Sequence, residues 1–79
     1  MPNLTDLEPD ISTKIALLTQ EANQLINQRF LLQARYRRNK RIGAGEEIQK
    51  ALEGELEYLE KAIAAIDEEI RSLAKESKA

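Results

Sequence analysis

Two apolar repeats separated by Gly43-Ala44-Gly45 constrain this chain more than any other feature of it. In the first half Ile11, Ile15, Leu18, Ala22, Leu25, Arg29, Leu32 and Tyr36 recur at alternating steps of four and three. In the second half Gln49, Leu52, Leu56, Leu59, Ile63, Ile66, Ile70 and Leu73 do the same. That spacing returns side chains to one stripe of an α-helix, the stripe by which it packs lengthwise on another helix.

The break between the repeats is as informative. Arg35, Arg37, Arg38, Lys40 and Arg41 crowd the end of the first run, and Glu46 and Glu47 open the second. Cations suit the negative end of a helix and acids the positive start of the next. A glycine just beyond the basic run is the usual helix stop, because it accepts the left-handed conformation. These signals predict helix 1 over 11–41, a turn over 42–45 and helix 2 over 46–75. Residues 1–10, with Pro2 and Pro9, read as an irregular arm, and residues 76–79 as a frayed tail. Pro9 suits a first helical turn, Asp10 and Ser12 are candidate caps, and Thr5 with Glu8 has the spacing of a capping box. Two helices of equal length joined by a short turn form an antiparallel hairpin. The competing shape is one continuous helix through both glycines in a parallel coiled coil.

The expected fold is therefore all-α, a coiled-coil-like two-helix hairpin, with two such hairpins pairing into a four-helix bundle. The pairing is expected because helix 1 is apolar over too wide an arc. Ile26, Phe30 and Ala34 form a second row, and Leu17 and Leu31 lie further round. A chain of 79 residues has little core of its own, and small folds add disulfides, a metal or a partner subunit. With no cysteine and no histidine, oligomerisation is the remaining device. Glu46–Lys50, Glu57–Lys61 and Asp67–Arg71 are spaced four apart with the acid first, the better orientation on a helix. Gly54, inside helix 2, is either a close-crossing point or a tolerated weak spot.

Composition also bounds function. The hydroxyls are few and no histidine stands by as a base, so nucleophilic catalysis is not expected. The acids Glu53, Glu55, Glu57 and Glu60 fall outward, as a solvated face. No cofactor and no metal is expected. GAGEE precedes a helix, but its two glutamates would repel a phosphate there and the P-loop lysine is missing. A net charge of −2 implies no bulk attraction to nucleic acid or membrane. No run approaches 18 apolar residues, and the first ten have no signal-peptide pattern, so a cytoplasmic, soluble protein is expected.

The basic tip, Arg35, Tyr36, Arg37, Arg38, Lys40 and Arg41, is the sharpest candidate site. It has two readings. One is a patch for nucleic-acid or nucleotide phosphates, with Tyr36 stacking on a base. The other is internal: an antiparallel turn brings Arg41 near Glu47, Arg35 near Glu53 and Arg29 within reach of Glu60. Arg37, Arg38 and Lys40 have the fewest internal partners. Leu17, Ile26, Arg29, Phe30 and Leu31 are the candidate oligomer or partner interface. Arg29, on the seam, either lays its stem along it with the head in water or reaches across an interface to set register. The leading expectation is a non-enzymatic protein–protein interaction module: a helical-hairpin adaptor, assembly factor, inhibitor or structural subunit acting as a homo-oligomer, the dimer favoured. A nucleic-acid- or nucleotide-binding module using the basic tip is the alternative.

Overall fold

The computed structural model describes residues 8–78, so the arm predicted over residues 1–10 lies largely outside the described residues, as does Thr5 of the candidate capping box. Two helices account for nearly all of the rest, α1 over Ile11–Arg41 and α2 over Glu46–Lys78. They pack on each other as a hairpin. Neither helix is long and apolar enough to cross a membrane.

Local chemistry explains each end. The Asp10 side chain accepts a hydrogen bond from the Thr13 amide at 2.8 Å, and its carbonyl accepts from Lys14. Asp10 is thus the N-cap, and Pro9 stands just outside the helix rather than in its first turn. At the other end Gly43 has φ +73°. Its amide donates to the Lys40 carbonyl and the Ala44 amide to Asn39. This pair of bonds is the Schellman closure, which satisfies carbonyls that a helix otherwise leaves bare. The α2 ladder then starts at once, with the Gln49 amide donating to the Gly45 carbonyl. The continuous helix is thereby ruled out, since the chain reverses within four residues. The end of α2 differs from expectation. The helix includes residues 76–78, because Ala74, Lys75 and Glu76 are strong helix formers and Lys75 and Lys78 suit the helix's negative end.

The packing follows the repeats. Leu52, Leu59 and Ile66 are the buried residues of α2, at 7%, 6% and 7% exposure. Ile11, Ile15, Leu18, Ala22, Leu25, Arg29, Leu32 and Tyr36 are all half-buried on α1, and Asn39 extends the row. Yet α1 holds no buried residue at all. The molecule measures 59 × 28 × 15 Å, two helices side by side with one seam, so burial is shallow throughout. On α1 that seam includes Ala22, Arg29 and Tyr36, one small and two ending in polar groups, where α2 carries leucine and isoleucine from Leu52 to Leu73.

The three spaced acid–base pairs on α2 form, at 4.0, 3.2 and 3.1 Å. All are exposed and stabilise little individually. A Cβ built on Gly54 meets nothing within 4 Å, so no close crossing requires this glycine. Gly54→Ala should therefore stabilise the fold by about 0.5–1 kcal/mol, read from the urea unfolding midpoint.

Candidate functional site

Two surfaces stand out, the basic tip by the turn and the apolar residues that the hairpin leaves in water. The tip is built by the last turns of α1. Arg37, Arg38, Lys40 and Arg41, with Ala34, line an open depression of about 480 Å³. Arg35 is exposed but does not line it. Tyr36 sits apart from the others in kind, because it occupies the seam and is half-buried. Its hydroxyl donates to Glu53 Oε1 across the hairpin at 2.8 Å. Its carbonyl accepts from Gln49 Nε2 at 3.5 Å, while Gln49 Oε1 is buried with no partner. Lys40 Nζ lies 5.3 Å from the Tyr36 ring centroid, close enough for a cation–π attraction.

This arrangement corrects the internal reading of the tip. Among the described residues no ion pair joins Arg41 to Glu47, Arg35 to Glu53 or Arg29 to Glu60; every ion pair there is local in sequence. Glu53 is engaged by the Tyr36 hydroxyl instead. A rigid ring held in the seam loses less freedom in reaching a carboxylate than a long arginine in water does. Tyr36 is correspondingly less suited to stack on a base. The seam arginine, Arg29, is half-buried with no carboxylate bound among the described residues, as a stem lying along the seam would be.

The Glu53 carboxylate raises the pKa of the Tyr36 phenol, chiefly through their hydrogen bond. Deprotonation removes the donor and sets two anions together. A pKa raised by folding adds stability below the unfolded value near 10 and loses it as pH climbs through the folded value. The unfolding midpoint of the native chain should thus fall more steeply above pH 10 than that of Tyr36→Phe. At the opposite end, the Thr13 amide lowers the pKa of Asp10.

The predicted interface residues divide between two flanks of α1. Leu17 lines a groove of about 460 Å³ with Lys14, Leu18, Glu69, Ser72 and Leu73. Leu31 lies on the same flank, two heptads on from Leu17, whereas Ile26 and Phe30 share the opposite flank. All four are exposed, and so are Ile42, Ile48 and Tyr58, which the sequence reading did not single out. Tyr58 carried a usable signal, because it directly precedes Leu59 and so stands beside the seam rather than in it. The chain matches no family model, no curated protein and no solved structure.

Proposed function

We propose that this chain is a non-enzymatic interaction module whose working form is a homo-oligomer, most simply two hairpins paired as a four-helix bundle. Such a module serves as an adaptor, assembly factor, inhibitor or small structural subunit, with another protein as its eventual partner. One observation carries the reading: α1 has no buried residue while Leu17, Ile26, Phe30 and Leu31 stand in water. A helix of 31 residues gains most of its stability from burying an apolar face. The rod form supports the same reading, since a second rod laid alongside covers a whole flank. Sedimentation velocity of the full chain at micromolar concentration should give a species of about twice the 9.0 kDa chain mass. A well-folded species of single-chain mass would overturn the proposal.

The second reading, phosphate binding at the tip, is favoured by the depression that Arg37, Arg38, Lys40 and Arg41 line together. Binding of this kind weakens steeply with added salt. Replacing Arg37, Arg38 and Lys40 by Gln should then abolish oligonucleotide binding, and unchanged binding would dispose of it.

A further inference from the structure

The groove containing Leu17 and Ser72 fixes which residues of the two helices share one flank. Both helices keep a seven-residue repeat along the seam, so residues seven apart hold one angle to it. The stripe running through Leu17 is the N-cap Asp10 followed, on α1, by Leu17, Gln24, Leu31 and Arg38. Each directly precedes a seam residue, and each is exposed. On α2 the stripe through Ser72 is Ala51, Tyr58, Ala65 and Ser72, likewise exposed. Level with one another are Leu17 and Ser72, Gln24 and Ala65, Leu31 and Tyr58.

The α1 stripe is chemically self-complementary about Gln24: acid, leucine, amide, leucine, base. The α2 stripe is complementary in size, with Tyr58 and Ser72 equidistant from Ala65. At the Leu31 end the flank bears a ridge, Leu31 at 64% and Tyr58 at 70% exposure. At the Leu17 end it bears the groove, whose Ser72 side is small. We infer that this flank is the dimer interface, and that it receives a second copy of the chain, antiparallel, on a twofold axis level with Gln24 and Ala65. This rests on the homo-oligomer reading and specifies its geometry.

That operation brings Leu31 against the partner's Leu17, Tyr58 over the partner's Ser72 and Arg38 to the partner's Asp10. Each contact occurs twice, as an isologous interface requires. At the middle Gln24 lies beside Ala65. From residue 10 to residue 38 the stripe is about 42 Å long. Two helices about 10 Å apart make the flank about 20 Å wide, which suffices for the ~800 Å² per partner of a standard interface. The row through Phe30 on the opposite flank, Ala16, Asn23, Phe30 and Arg37, has no such symmetry.

Two adjacent exposed positions separate the flanks. Leu31→Glu should weaken self-association at least a hundredfold in sedimentation equilibrium, and Phe30→Glu should leave it within about threefold. Circular dichroism reports whether each variant folds. Because the chain has no cysteine, Gln24→Cys introduces a single thiol on the proposed axis. A short bis-maleimide should link this variant into dimers efficiently, and should link Asn23→Cys poorly. A dimer that Phe30→Glu breaks and Leu31→Glu spares, or one that links through Cys at 23 and not at 24, overturns this interface while leaving the homo-oligomer intact. Absence of any dimer overturns both. A different protein on this flank would appear as a monomer that L31E leaves unchanged, which also counts against the inference.

Discussion

Leu59→Ala should destabilise the fold by about 3 kcal/mol, measured by urea unfolding of the α-helical circular dichroism signal. Truncating a buried leucine removes its transfer free energy and leaves a cavity, together about 2–5 kcal/mol. Leu59 is the least exposed core residue and lies midway along α2, where a helix end cannot fray to relieve the loss. With only Leu52, Leu59 and Ile66 buried, few other residues share the burden. Ile48→Ala makes the contrast, since Ile48 is exposed near the tip and its truncation should stay within about 0.5 kcal/mol. Equal effects at the two positions would mean that the α1–α2 seam is not the core.

Gly43→Val should cost about 2 kcal/mol by the same measurement. Gly43 adopts φ +73°, a region where L-residues pay about 1–2 kcal/mol and β-branched residues more. Strain is the cause rather than crowding, because a Cβ there meets nothing within 4 Å. The Schellman bonds to Lys40 and Asn39 depend on that conformation. If Gly43→Val were neutral or stabilising, the reversal would not be made by this turn.

These two positions show why the fold was legible in the sequence. The four-three spacing read on each half contains Leu52, Leu59 and Ile66, the buried residues, because helical period decides which side chains face a two-helix seam. Gly43 after a basic run and before Glu46 reads as a turn because backbone freedom and helix dipoles agree there. The tip was less legible. Charge pattern alone paired Arg35 with Glu53, but the carboxylate goes to the Tyr36 hydroxyl, and exposed ion pairs are too weak to be set by sequence position. The apolar rows were visible as residue types, but Leu17 and Leu31 fall on one flank of α1 with Ile26 and Phe30 on the other. Only the groove joining Leu17 to Ser72 shows which α2 residues accompany each. The helical end at Lys78 was missed because propensity and dipole terms of a few tenths of a kcal/mol decide it.

The central claim is that a bare flank of α1 is covered by a second copy, so that folding and association are one equilibrium. Urea unfolding of the full chain over a hundredfold range of concentration tests this most directly. For a folded dimer and unfolded monomers, hundredfold dilution lowers the apparent stability by about 2.7 kcal/mol. With a urea slope of about 1–3 kcal/mol per molar, the midpoint should fall by about 1 M or more. A midpoint that stays fixed across the range would show that the hairpin folds alone and would contradict the account.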